Sequence, residues 1–171
     1  IEGTKMFPIG GRVFTKKIAG QLGMSFVDAE ELKIRYSRGD VNGERKGQLG
    51  DILAPDAEVL VNGVALTLQQ LAKADRLPPS IYLAGGGSAL PEIADYMRAY
   101  PWHEQLPFPK SPQVRLLNPA DVRNIYDSTG LLLNQQDITP MGLGYQALQE
   151  DAGESDLLYS TMRKIMRAMK V

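Results

Sequence analysis

One short segment near the middle of the chain constrains the fold more than any other. It reads IYLAGGGSALP over residues 81–91: an apolar run, three glycines, small residues and a proline. The apolar run predicts a buried strand, and Pro91 suits the first turn of a helix. The glycines allow backbone conformations closed to other residues and let a ligand approach closely. Free N–H groups at the helix start favour an anion or a polar heterocycle, although a tight corner without a ligand fits the same residues.

Hydrophobic periodicity and turn residues predict the other elements. Ser25 and Asp28 form a capping-box-like start to the second helix. The helix over 57–75 is expected to bury Val59, Val64, Leu68 and Leu71. In chain order we expect a strand over 4–9, helices over 13–22 and 26–36, a mobile connection over 37–50, a helix over 57–75, a strand over 81–84, a helix over 91–98, a loop over 101–112, a strand over 114–117 and helices over 141–149 and 157–170.

Composition excludes several classes of function. The 171 residues carry 19 Lys and Arg against 20 Asp and Glu, so no overall field attracts nucleic acid. The absence of cysteine excludes disulfides and thiolate metal sites and indicates a reducing, cytoplasmic setting. No apolar run approaches the roughly 20 residues that span a bilayer. The balance of hydrophobic and charged residues is that of a soluble globular protein, and the order of the predicted strands and helices indicates an α/β layer domain.

The glycine segment resembles the adenosine motif of the actin and heat-shock ATPase superfamily. There a hydrophobic strand runs into Gly-Gly, small residues and a proline, and the glycine backbone lies against the sugar and base of the nucleotide. The resemblance implies nucleotide contact by Gly85, Gly86, Gly87 and Ser88, with Ala89 and Leu90 near the base.

A second segment, FPIGGRVFTKKIAGQLGMSFVDAEELK over residues 7–33, is similar to the FtsA, PilM and MreB branch of this superfamily. There a Pro-Ile/Val-Gly-Gly turn precedes one helix, and the next carries Ala-Glu-x-Leu/Ile-Lys. Glu30 and Lys33 lie three residues apart and share a helix face, which in the family points at adenine and ribose. The resemblance implies that Gly11 lies at the nucleotide, that Glu30 accepts from sugar hydroxyls or the exocyclic amine, and that Lys33 lies along the base. From the residues alone, an exposed ion pair is the alternative.

Two weaker resemblances follow, VRLLNP over 114–119 and ITPMGLGYQAL over 138–148. Together the matches imply half of an actin-like, ribonuclease H-like ATPase fold of the FtsA/PilM type, its carboxy-terminal half, over residues 1–150. Residues 37–79 imply a reduced outer subdomain. The Asp-x-Gly-x-Thr phosphate loops of the superfamily do not occur here, so the groups that hold the phosphates of ATP and Mg²⁺ are expected in a missing amino-terminal half. This chain by itself is therefore not expected to be an enzyme.

Residues 151–171 predict an acidic joint and a basic amphipathic helix. Apolar residues recur at intervals of four, three and four, and an uninterrupted set of basic residues accompanies them. Such a helix can lie on an anionic membrane and resembles the membrane-targeting tail of FtsA; packing on protein is the alternative. The residues expected to contact membrane or partner are Leu158, Met162, Arg163, Ile165, Met166, Arg167, Met169 and Lys170.

The resemblance implies an ATP-binding scaffold that polymerises or recruits division proteins at the inner face of the membrane, as FtsA does. A PilM-like cytoplasmic platform of a type IV pilus or secretion machine matches the segment around Glu30 equally well. Half of a sugar or acetate kinase is the alternative of another class, because its catalytic base would lie in the missing half.

Overall fold

The computed structural model describes residues 4–72, 76–123 and 125–149. The first two helices pack against each other, and each carries residues that mark its start or its end. Helix α1, Gly11–Leu22, buries Phe14, Thr15 and Ile18 and ends at Gly23, whose φ of +63° suits glycine. Helix α2, Phe26–Ser37, begins after Ser25, whose hydroxyl oxygen accepts a bond from the N–H of Asp28.

Helix α3, Gly43–Leu71, is the long element on which α1 and α4 pack. The side chain of Asn42 accepts a bond of 2.9 Å from the N–H of Arg45 and so caps its start. Pro55 lies inside the helix. Its buried residues recur at intervals of four, which places them on one stripe: Leu49, Leu53, Ala57, Val61 and Ala65.

A small βαβ unit follows. Strand β1, Ser80–Leu83, leads through the glycine turn and a 3₁₀ turn, Gly86–Ala89, into helix α4, Pro91–Ala99. The short helix α5, Trp102–Gln105, precedes strand β2, Gln113–Leu116. The two strands are parallel, with Ile81 opposite Val114 and Leu83 opposite Leu116. Trp102 is buried, and its indole N–H donates to the carbonyl oxygen of Met97 at 2.7 Å.

Two aspartates organise the segment between β2 and the last described helix. After a 3₁₀ turn, Pro119–Asp121, the carboxylate of Asp127 accepts bonds from the backbone N–H groups of Thr129 and Leu132. Asp137 accepts in the same way from Leu133 and Asn134. Helix α6, residues 138–149, begins directly after Asp137.

Most predicted elements are confirmed, with boundaries that move by one to three residues. Helices occur at the predicted positions of α1, α2, α4 and α6, and strands at those of β1 and β2. The Ser25 cap and the placement of Pro91 in the first turn of α4 are also confirmed. The β1–turn–α4 order is the one that the glycine segment predicts.

Two predictions about the first half of the chain are wrong. Residues 4–9 form no strand, because the only sheet in the described residues consists of β1 and β2 and offers the segment no ladder partner. Phe7 packs on α3 instead: a Cβ added to Gly63 would lie 3.0 Å from its ring. Residues 43–50 are helical rather than a mobile connection, since Leu49 extends the buried stripe and Asn42 supplies the cap.

Other corrections concern burial and length. Val59 is 56% exposed, because the buried stripe of α3 runs through Ala57 and Val61. Strand β1 is half-buried rather than buried: Ile81 and Leu83 pack against the core, whereas Tyr82, on the opposite face of the strand, is 56% exposed. Helix α3 ends at Leu71 rather than at 75. The predicted loop over 101–112 contains α5, which the buried Trp102 anchors.

The predicted tail helix lies outside the described residues. Within residues 4–72, 76–123 and 125–149, none of the helices combines the length and the apolar character needed to cross a membrane.

Candidate functional site

A cleft of about 370 Å³ separates helix α2 from the glycine turn at the carboxyl end of β1. Helix α2 forms one wall, the turn and the start of α4 form the other, and the segment before α6 contributes one residue. The residues that line the cleft are Gly11, Glu30, Lys33, Ile34, Ser37, Gly86, Gly87, Leu90 and Gln136.

A network of hydrogen bonds on the α2 wall ties α2 to α1. The Lys33 ammonium donates to Glu30 Oε2 at 2.8 Å, to Thr15 Oγ1 at 2.8 Å and to the carbonyl oxygen of Gly11 at 3.1 Å. These three bonds use all three of its N–H groups. The buried Thr15 hydroxyl also lies within bonding reach of Glu30 Oε2 and of the Gly11 carbonyl. We call Gly11, Thr15, Glu30 and Lys33 the α2 network.

The α2 network leaves Glu30 charged and partly available. Burial alone would raise the pKa of this carboxyl, but hydrogen bonds from Lys33 and Thr15 and the charge of Lys33 bring the pKa below its ordinary value of 4.5. Both bonds end on Oε2, and 39% of the side chain is exposed. Oε1 can therefore accept a bond from a ligand hydroxyl or amine.

Gly11 contributes through its backbone. A Cβ added at this position would lie 3.3 Å from Lys33 Nζ, a close contact. Glycine at the first position of α1 lets the ammonium reach the Gly11 carbonyl.

The glycine turn contributes only backbone to the second wall. Gly85 has φ +86° and ψ 168°, a conformation that is essentially restricted to glycine. Its N–H donates to the carbonyl oxygen of Gln135 at 2.7 Å, and its carbonyl oxygen accepts from Ser88 Oγ at 2.7 Å. Added Cβ atoms at Gly86 or Gly87 would meet nothing within 4 Å, so a ligand can approach this backbone directly.

The structure brings most of the predicted nucleotide-contact residues together. Gly11, Glu30, Lys33, Gly86, Gly87 and Leu90 share the cleft. Gly85 and Ser88 do not line it. Gly85 shapes the turn. The buried Ser88 lines a neighbouring, mainly apolar pocket of about 280 Å³, which shares Gly11 and Gly87 with the cleft.

The sequence analysis did not predict four residues that belong to the cleft or to the α2 network. Ile34 and Ser37 follow Glu30 by four and seven residues, so the helical period applied to Glu30 would have placed them on its face. Thr15 gave no signal beyond helical spacing, although it lies at the centre of the α2 network. Gln136 gave none, because its position depends on the bond between Gly85 and Gln135.

The arrangement suits binding of a planar, polar ligand. Glu30 supplies an acceptor, the glycine turn supplies exposed backbone, and Ile34 and Leu90 supply apolar surface for a ring. The volume falls within the range of small-molecule pockets, about 300–1,000 Å³. Within the described residues, no group of three or more His, Cys, Asp or Glu side chains could hold a metal ion.

Comparison with known proteins shows a likeness to a solved structure. No protein-family model matches the sequence, and neither does any curated protein. Among solved structures, the chain is similar to that of a PilM-PilN type IV pilus biogenesis complex, with 22% identity and a TM-score of 0.55. The match covers 83% of this chain and 38% of that one. The likeness is one of fold, and it agrees with the PilM-like form of the actin-like expectation.

Proposed function

We propose that this chain forms the nucleoside-binding part of an actin-like ATP-binding protein that serves as a PilM-like platform in a type IV pilus or secretion machine. The cleft carries the proposal. It places an acidic side chain, a lysine and a bare glycine turn around one space of suitable size at the carboxyl end of a strand, where open α/β sheets bind ligands.

The α2 wall and the glycine turn have complementary roles in this proposal. Glu30 Oε1 accepts from the ribose hydroxyls or the exocyclic amine, and the aliphatic part of Lys33 lies along the base. The backbone of Gly86 and Gly87 lies against sugar and base, with Leu90 beside the ring. The phosphates and Mg²⁺ of ATP are held by an amino-terminal half that is missing here, consistent with a chain that spans 38% of the length of the similar solved structure.

Titration calorimetry of the intact protein with ATP and Mg²⁺ tests the nucleotide site. We expect Gly86→Asp to weaken binding by a factor on the order of 100, because a desolvated carboxylate would occupy the ligand's space. The fold should tolerate the change, since a Cβ at Gly86 meets nothing within 4 Å. Gly47→Asp is a matched control on the exposed side of α3, where a Cβ also meets nothing. Equal affinity of both variants would remove the nucleotide assignment.

The platform role is supported by the similar solved structure, which is a complex of PilM with PilN. We therefore expect the intact protein to bind a pilus-assembly protein of the PilN kind. Affinity purification from the native cell after crosslinking should recover such a protein. Recovery of division proteins in its place would contradict the platform role.

A division scaffold of the FtsA type is the second candidate, and one feature of the sequence favours it. The basic amphipathic stripe of Leu158, Met162, Ile165 and Met169, with Arg163 and Arg167, fits a membrane-surface helix. Each basic residue near an anionic surface adds about 1 kcal/mol of attraction.

Sedimentation with anionic vesicles tests this candidate. Wild-type protein should sediment at low salt and less at high salt, because exposed charges are screened within about 8 Å at physiological ionic strength. Arg163→Glu combined with Arg167→Glu should abolish sedimentation and leave the domain folded. If wild-type protein does not sediment with vesicles even when it self-associates, or if the double variant unfolds, the tail packs on protein. Either result would contradict the role as a division scaffold.

A further inference from the structure

A partly buried hydrogen bond joins the two walls of the cleft behind its lining. Tyr36 of α2 is 4% exposed, and its hydroxyl donates to Glu92 Oε1 of α4. Tyr36 lies between the cleft residues Ile34 and Ser37, and Glu92 lies two residues beyond Leu90. The bond therefore connects the helix that carries Glu30 and Lys33 to the helix that begins where the glycine turn ends.

Helix α3 passes beside this pair. A Cβ added to Gly50 would lie 3.5 Å from both the Tyr36 hydroxyl and Glu92 Oε1, an ordinary van der Waals distance. The pair thus lies where α2, α3 and α4 meet.

The Tyr36–Glu92 pair is a costly way to join two helices. Glu92 Oε2 is buried and has no hydrogen-bond partner among the described residues, and a buried polar atom without a partner lowers stability. The position of Glu92 in the first turn of α4 offsets part of this loss, because the helix dipole favours a negative charge there. An apolar pair would fill such a site with less penalty, which favours a role in fixing geometry.

The Tyr36 hydroxyl is a dependable donor. Burial raises the pKa of this phenol, and the hydrogen bond to Glu92 and the charges of Glu92 and Asp95 raise it further. Tyr36 therefore keeps its proton at neutral and mildly alkaline pH.

We propose that Tyr36 and Glu92 are positioning residues that fix the separation of the two walls and thereby set the affinity of the cleft for a nucleoside. The proposal rests on the nucleotide-binding function above. Neither side chain lines the cleft, so both act through others: Tyr36 through the placement of Glu30 and Lys33 on α2, and Glu92 through that of Leu90 and the glycine turn.

The test is a double variant that removes the bond without leaving a buried polar atom. Tyr36→Phe combined with Glu92→Leu replaces the pair by apolar side chains of similar shape, a change that is often neutral or stabilising. We expect the intact double variant to fold at least as stably as wild type and to bind ATP with Mg²⁺ about tenfold more weakly, because the walls lose their fixed spacing. Glu92→Gln keeps an acceptor for Tyr36 and should retain near wild-type affinity.

A matched control removes a tyrosine bond elsewhere. Tyr100 donates to Gln105 at 2.7 Å on the exposed side of the α4–α5 region, so Tyr100→Phe with Gln105→Leu should leave ATP affinity unchanged. Wild-type affinity in the Tyr36→Phe, Glu92→Leu variant, whatever its stability, would overturn the proposal. If that variant does not fold, a tenfold loss in Glu92→Leu alone with rescue in Glu92→Gln supports the pair, and equal affinities overturn it.

Hydrogen exchange in the ligand-free protein separates failure of this proposal from failure of the nucleotide function. If wild type binds no ATP, the nucleotide function fails. Faster exchange of the backbone amides of 33–37 and 85–90 in the Tyr36→Phe, Glu92→Leu variant than in the control would still show that the pair couples the walls. Unchanged exchange at both walls would show that it does not.

Discussion

The two walls of the cleft differ in the groups that face the ligand space: side chains on the α2 wall, and mainly backbone on the wall formed by the glycine turn. The α2 wall consists of charged side chains bonded to one another, in which Lys33 uses all three N–H groups on Gly11, Thr15 and Glu30. We call the wall formed by Gly86, Gly87 and Leu90 the glycine wall. Its turn presents only backbone, and no atom lies within 4 Å of a Cβ added at Gly86 or Gly87.

Because of this difference, folding stability and ligand binding depend on the same atoms on the α2 wall. On the glycine wall they depend on different residues. A change on the α2 wall alters the packing of α1 on α2 and the ligand contacts together, because the same atoms serve both. In the turn of the glycine wall, Gly85 adopts the backbone conformation that only glycine accepts easily, while Gly86 faces open space. The same substitution should therefore lower stability at Gly85 and leave it nearly unchanged at Gly86.

The largest effect on stability is expected at Gly85. An alanine there must adopt φ near +86°, and we expect Gly85→Ala to lower the free energy of unfolding by about 1–3 kcal/mol. Gly86→Ala is the matched control, with no positive φ and no neighbour near its Cβ, and should change stability by less than about 0.5 kcal/mol. Urea unfolding followed by circular dichroism measures both. Equal losses would mean that the turn is not held in the Gly85 conformation.

A smaller loss is expected from Lys33→Met. The change keeps the aliphatic length but leaves Glu30, Thr15 and the Gly11 carbonyl without their shared donor. We expect a loss of about 1–2 kcal/mol, at the lower end for a charged hydrogen bond because Glu30 is partly exposed. Lys16→Met, at an exposed position of α1, is the control and should be nearly neutral in the same urea titration. A neutral Lys33→Met would show that the α2 network does not hold α1 to α2.

The sequence predicted most where structure depends on near neighbours. The glycine turn, the Pro91 helix start and the Ser25 cap are local signals, and each is present. The shared face of Glu30 and Lys33 follows from the helical period alone, and the two side chains do pair.

The sequence failed where distant contacts decide the outcome. Residues 43–50 contain Gly43, Gly47 and Gly50 among charged residues, a composition typical of loops, yet burial of Leu49 makes them helical. Gln136 reaches the cleft from a segment that is held there in part by the bond between Gly85 and Gln135, far apart in sequence.

Lowering the pH should weaken the α2 network through protonation of Glu30, and a comparison with Glu30→Gln measures that contribution. The pKa of Glu30 is lower in the folded chain than its ordinary value of 4.5. The charged Glu30 side chain therefore stabilises the fold fully at a pH well above 4.5, and this contribution is lost as the pH falls through the pKa of the folded state. We therefore expect the difference in unfolding free energy between wild type and Glu30→Gln to be constant from about pH 6 to about pH 7 and to shrink below about pH 4.5. Urea titrations at each pH measure it. A difference that grows on acidification would contradict the assigned direction.

The smallest effect is expected at Gln136, which the segment before α6 contributes to the cleft. Its exposed side chain makes no contribution to the core, so Gln136→Ala should change the free energy of unfolding by less than about 0.5 kcal/mol. The backbone around it stays fixed by the Asp127 and Asp137 turns and by the bond from Gly85 to the Gln135 carbonyl. If its amide meets the ligand, ATP affinity of the intact protein should fall about fivefold, the size of one neutral hydrogen bond. Gln135→Ala keeps the carbonyl and removes a neighbouring amide that does not line the cleft, so its affinity should match wild type. Equal affinities in the two variants would restrict ligand contact to the two walls.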